Sequence, residues 1–204
     1  MYKRQKLASV AKVVERYVQA VESSGKLAGY DIEALKAVFA RTHVVLQSDI
    51  AVLGVRIVDG IEKKLAKLMQ YVYSRKEKPF LNITYGHSFV TVILDQCNFE
   101  RAIKIIGRRN VVYHRKNQAA LSIITPKDVL SVPGFSGHAL SLLGLSGINI
   151  TEVLSSYNEG IVVLSEKDAN RAYSVLRAEI ERLRKQKRND ESRQSFNNQS
   201  KGFA

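Results

Sequence analysis

The stretch Pro133-Gly134-Phe135-Ser136-Gly137-His138 holds the residue types, in this 204-residue chain, whose spacing could do chemistry. Gly134 and Gly137 stand where an apolar run gives way to a helical pattern, and glycine lets backbone approach a bound group closely. A helix beginning near Ser136 turns its first amides outward without intrahelical partners, and such amides favour an anion. The chemistry on offer is recognition of a small negative group, not bond-breaking. The strand that follows the helix, from Asn149 through Ile150 and Thr151 to Ser155, would lie alongside and supply further polar groups. The same two glycines would equally serve a tight strand-to-helix turn that binds nothing.

Catalytic signals are poor. The four histidines, His43, His87, His114 and His138, have no mutual ligand spacing and no cysteine or carboxylate partners at metal-site intervals, so neither metal nor cofactor is expected. Phe135-Ser136-Gly137 lacks the flanking glycines of a nucleophile elbow, and neither a Walker loop nor a dinucleotide fingerprint is present. The single cysteine, Cys97, excludes an internal disulfide and reads as a small buried or half-buried residue between a strand and a helix. The chain is not expected to be an enzyme.

Elements that would position the glycine loop come from a repeat. Val92 to Ile106 reappears without a gap as Val162 to Leu176, and Asn82-Ile83-Thr84 is echoed by Asn149-Ile150-Thr151. A period of about 70 residues suits one small α+β module, and two such modules fill most of the chain. In the first, strands are expected over Ile50–Ile57, Phe80–Tyr85 and Phe89–Leu94. Helices are expected from near Asp59, with Asp59 and Glu62 at capping-box spacing, and from Asn98 to Ile106. In the second, strands cover Ala119–Thr125, Ile148–Ser155 and Gly160–Leu164, with helices over Ser136–Leu145 and onward from Ser165. Each module then lacks one strand. Val111–Tyr113 can complete the first and Val44–Gln47 the second. Ahead of both, Leu7, Val10, Val14, Tyr17 and Val21 form a helical stripe, and a shorter helix starts at Asp31. Beyond Leu183 no apolar stripe survives, and the polar residues to Ala204 read as a disordered tail.

From Val132 to Ile150 the chain closely resembles the ligand loop and first helix of an ACT domain, especially the tandem ACT domains at the regulatory end of aspartate kinases. The Pro-Gly turn, the helix and Gly147-Ile148-Asn149 before the next strand carry the likeness, and Asp168-Ala169-Asn170-Arg171-Ala172 resembles the start of the second ACT helix. The resemblance runs from about Val44 to Leu183, with no kinase domain before it. It implies two ferredoxin-like βαββαβ modules, 43–116 and 117–183, after an N-terminal helical segment (1–42) and before a basic tail (184–204). It also implies a free amino acid as ligand, held by Pro133, Gly134, Phe135, Ser136, Gly137, His138, Asn149, Ile150 and Thr151, in a site of the kind that forms between paired ACT domains. The first module departs from this pattern: Asp59 and Glu62 at its helix start would compete with a ligand carboxylate for the same amides.

Charge supplies a rival reading. The net charge is +13, which favours anionic partners such as nucleic acid or the ribosome. Arg101, Lys104, Arg108 and Arg109 form one cluster, and Arg184, Lys185, Lys187 and Arg188 another. Few aromatics accompany them, and Tyr113, beside His114 and Arg115, reads as core. The first residues hold no apolar signal region and no run is long enough to span a membrane, so a cytoplasmic location is expected. Exposed edge strands lead us to expect a homodimer. The sequence therefore points to a stand-alone amino-acid sensor, with a nucleic-acid-associated ACT scaffold as the alternative.

Overall fold

The computed structural model describes residues 31–74 and 79–201, with side chains to residue 189. The helix expected over Leu7–Val21 lies outside them. The first described helix, α1 (Ile32–Ala40), is capped by Asp31, whose carboxylate accepts the Ala34 amide at 2.9 Å. Then follow β1 (His43–Arg56), α2 (Ile61–Tyr73), β2 (Leu81–Tyr85), β3 (Phe89–Asp95), α3 (Phe99–Ile106), β4 (Val111–Ile124), α4 (Phe135–Leu145), β5 (Ile150–Ser156), β6 (Glu159–Ser165) and α5 (Ala169–Lys201). All strand pairs are antiparallel, in one six-stranded sheet of order β2-β3-β1-β4-β6-β5.

The duplicated segments share a local structure. Each is a strand, a short 3₁₀ turn (Gln96–Asn98 or Glu166–Asp168) and a helix. The two segments expected as borrowed strands both belong to the sheet. Val111 and Tyr113 pair with Val55 and Gly54, in the half that holds β2 and β3, while Val44–Gln47 pairs with Ile123–Ala120, in the half that holds β5 and β6. The difference is continuity: neither is a separate strand. β1 and β4 are each 14 residues long, and Ser48-Asp49, which reads as a break, is a bulge. Asp49 (φ 58°) and Asn117 (φ 54°) occupy the left-handed region that short polar side chains tolerate.

An extra residue resets the alternation of the strand that holds it. Val44 and Leu46 pack with α1, α4 and α5; past the bulge Ala51, Leu53 and Val55 pack with α2 and α3. Ile50, Val52, Ile93, Ala120, Ile161 and Val163 form a third cluster on the opposite face, with Phe80 and Leu154 against it. One inserted residue in β1 and two in β4, the second at Val112 between Tyr113 and Val111, thus keep the helices on one side of the sheet.

The sheet curls toward that third cluster. Tyr113 of β4 donates its hydroxyl to Glu152 of β5 at 2.6 Å, although β6 lies between the two strands. Its ring lies over Gly54, where a Cβ would stand 2.0 Å from Cε1, so only glycine fits. Tyr113 is not core: it remains 39% exposed.

Two further expectations give way. Asp59 does not cap α2: Gly60 does, at φ 74° and without a side-chain bond. Past Leu183, where a disordered tail is expected, the chain stays helical as far as Lys201, the end of α5. Ala169, Ala172, Leu176, Ile180 and Leu183 are buried, and each large apolar side chain contributes roughly 1.5–3 kcal/mol. Docking supplies the nucleus, and Arg184-Lys185-Gln186-Lys187-Arg188, all strong helix formers, carry the helix past its last apolar anchor without an apolar stripe. Arg184 secures the junction by donating to the carbonyls of Ala40 (2.7 Å) and Thr42 (3.1 Å).

Burial, with the Glu152 hydrogen bond next, pushes the Tyr113 phenol up to about 12. The protonated phenol is favoured in the folded state, so its contribution is whole below the unfolded value near 10 and is lost as pH rises from there through about 12. In urea unfolding, Tyr113→Phe should be less stable than the parent at pH 9, with the gap closing between about pH 10 and 12. A gap constant across that range would show that the phenol does not titrate in this way.

Candidate functional site

Between the end of β4 and the start of α4 the chain makes a 3₁₀ turn (Lys127–Ser131) and then Val132-Pro133-Gly134. Gly134 has φ 89° and ψ −10° and caps α4 without a side chain; its carbonyl accepts the His138 amide at 2.9 Å. The amides of Phe135, Ser136 and Gly137, in the first turn, have no carbonyl within the helix to donate to. Phe135 fixes the direction of the turn. Its buried ring stacks at 4.6 Å between centroids on Phe39 of α1.

Those amides border a cleft of about 220 Å³. Gly134–Gly137 form one wall with Val129, Leu130 and Val132; Ser155, Tyr157, Asn158, Glu159 and Gly160, from the β5–β6 hairpin, form the other. Thr125 pins the walls together. Its amide and hydroxyl both donate to the Asn158 carbonyl, at 2.9 and 2.7 Å, and the Asn158 side-chain amide donates back to the Thr125 carbonyl. Tyr157 is held at φ 53° in the hairpin turn. At the rim Leu130 is 65% and Tyr157 62% exposed, so two large apolar side chains flank the opening.

Among the residues marked out by sequence, Gly134, Phe135, Ser136 and Gly137 come together here, and Pro133 sits in the same turn without lining the cleft. His138 points elsewhere: its ring stands edge-on to Phe39 at 4.9 Å, with Nε2 at 3.4 Å from Glu179 of α5. The Arg182 guanidinium, with His138 second, holds the Glu179 carboxyl below its ordinary range. Asn149, Ile150 and Thr151 also lie apart, and Thr151 donates to the Gln118 side chain at 2.8 Å. A strand that follows a helix starts at the far end of that helix, here about 16 Å from the first turn. It is the end of β5 that returns to the glycine loop. That rule, applied to the sequence, would have exchanged Asn149–Thr151 for Ser155 and the Tyr157–Gly160 hairpin.

The two basic clusters sit on different helices. Arg101 and Lys104 are on α3, with Arg108 and Arg109 just after it; Arg184, Lys185, Lys187 and Arg188 are on α5. Among the described residues no group of three or more His, Cys, Asp or Glu could hold a metal ion, and no helix is long and apolar enough to cross a membrane. Cys97 is exposed, not buried.

The two loop glycines should respond oppositely to alanine. Gly134→Ala places a Cβ at positive φ and should cost about 1–2 kcal/mol. A Cβ at Gly137 meets nothing within 4 Å, so Gly137→Ala should gain roughly 0.5–1 kcal/mol from helix propensity. Urea unfolding of both variants checks this; loss of stability at position 137 would mean that the fold itself needs that glycine.

No protein-family model and no curated protein sequence matches the chain. Solved structures do. A putative C-terminal regulatory domain of aspartate kinase from Porphyromonas gingivalis is similar at TM-score 0.53 and 15% identity, over 68% of this chain and 96% of that one. The ligand-free regulatory subunit of aspartate kinase from Thermus thermophilus is similar at TM-score 0.52 and 18% identity, over 66% and 94%. The aspartate kinase of Clostridium acetobutylicum is similar at TM-score 0.54 and 13% identity, over 67% of this chain but 34% of the kinase. The α+β fold of this chain is that of aspartate kinase regulatory domains, as the resemblance over Val132–Ile150 implied.

Proposed function

We propose that the chain is a non-catalytic regulatory protein of two ACT-like halves, whose cleft at the start of α4 takes a free amino acid. The observation that carries this reading is the meeting of first-turn amides with the β5–β6 hairpin across about 220 Å³, a volume below that of sites for drug-sized ligands. The amides of Ser136 and Gly137 suit a carboxylate. Facing them, Glu159 and the Ser155 hydroxyl suit an ammonium group, while Val129, Leu130 and Val132 offer an apolar wall to a side chain.

The corresponding point in the other half is less suited. Gly60 also has positive φ before a helix, but Glu62 stands in the first turn of α2 and places a negative charge beside its amides. We assign the ligand to the second half alone. Binding biases regulation only through different affinities for two states, and exposed Leu130 and Tyr157 at the rim supply apolar surface that a second subunit would cover in one of them. A homodimer is part of this proposal.

Thermal unfolding against each common amino acid tests it. A ligand at about 100 times its dissociation constant adds roughly 2.7 kcal/mol, a rise of about 5–10 °C for a chain of this size. One amino acid, or a chemically related few, should give that shift, and Gly137→Leu, which projects into open space, should abolish it. A flat panel, or a shift that survives Gly137→Leu, would sink the proposal.

A further inference from the structure

We infer that the outer surface of α2 and α3 binds the phosphate backbone of a nucleic-acid duplex. The two helices pack antiparallel: Lys64 at the start of α2 donates to the Ile106 carbonyl at the end of α3 at 3.0 Å, and the Arg101 guanidinium lies 5.3 Å from the centre of the Tyr71 ring. Lys63 and Lys67 of α2, Arg101 and Lys104 of α3, and Arg108 and Arg109 after it are all exposed. Neighbours three or four apart on a helix are about 5–6 Å from one another, and packed helices about 8–10 Å apart. The result is two short rows of cations side by side.

A solvated helix face normally mixes signs; on this one cations far outnumber carboxylates. The only carboxylates in 61–73 and 99–110 are Glu62 and Glu100. Glu62 turns to the opposite flank of α2, beside Leu65, Met69 and Tyr73, and Glu100 is paired with Lys116 at 2.8 Å. On α5 the contrast is plain. Arg171 pairs with Asp168, Arg177 and Arg184 with Glu181, and Arg182 with Glu179. Arg184 is further committed to the backbone of Ala40 and Thr42. Among the described residues, cations outside a side-chain ion pair are concentrated on α2–α3, where Glu100 is the one carboxylate within electrostatic reach of Lys104 and Arg108. The one aromatic among them, Tyr71, lies beneath Arg101, so bases find no stacking platform; the surface suits a duplex read through its phosphates, without sequence preference.

Fluorescence anisotropy with 25-base-pair DNA and RNA duplexes tests this. Neutralising about four phosphates should weaken DNA binding about 100-fold between 50 and 200 mM salt. Lys63→Glu/Lys67→Glu/Lys104→Glu should lose at least about 30-fold at 50 mM salt, while the charge-matched Lys167→Glu/Arg171→Glu/Lys185→Glu on and beside α5 should stay within about 3-fold. Should the first triple fail to fold, its Lys→Gln counterpart replaces it, with the salt slope of the parent as a second readout. No duplex binding at 50 mM salt, equal losses in both triples, greater loss in the α5 triple, or binding to phosphatidylserine vesicles in place of duplexes would each overturn the assignment. Equal affinity for DNA and RNA supports recognition of the backbone alone, and a preference for one still supports it with groove shape added.

Discussion

Two residues at positive φ, Asp49 and Asn117, hold the architecture together. Each lets a 14-residue strand continue through a point where its side chains would otherwise change faces. Without the inserted residue, Ala51, Leu53 and Val55 would exchange places with Ile50 and Val52, and a row of core positions would meet the wrong layer. β1 and β4 pair with each other along nearly their whole length at the middle of the sheet. The β2–β3 and β5–β6 sides are therefore joined through continuous backbone hydrogen bonding rather than a linker.

That arrangement was legible in part. The duplicated strand, turn and helix announced themselves through matching residue types, and the count of strands per repeat led to two expected borrowings, Val44–Gln47 and Val111–Tyr113, which both lie in the β1–β4 ladder. Continuity was hidden because Ser48-Asp49 and Asn117 have the composition of turns; only three-dimensional pairing distinguishes a turn from a bulge. The helical course of α5 beyond Leu183 was hidden for a related reason. An amphipathic stripe reports what a helix packs against, not how far it runs once docked.

At the cleft, sequence located one wall and missed the other. Gly134 through Gly137 stood out because glycine spacing before a helix is a local signal. The facing residues, Ser155 and Tyr157–Gly160, come from a hairpin whose composition says only that the chain turns. They reach the cleft because an antiparallel strand retraces the length of α4, a fact of direction that no local motif encodes. His138, adjacent in sequence to the cleft, is carried by the helical rotation of about 100° per residue to the side that meets Phe39 and Glu179.

That rotation gives α5 a mechanical meaning. His138 follows Gly137 directly, and it touches Glu179 four residues before the last buried anchor of α5, Leu183. From Leu183 the helix continues to Lys201, a length of about 27 Å at 1.5 Å per residue. A lever of that length turns a tilt of about 6° at its seat into a displacement of about 3 Å at its tip. Whatever tightens or loosens the first turn of α4 is therefore one side-chain contact away from the seat of that lever.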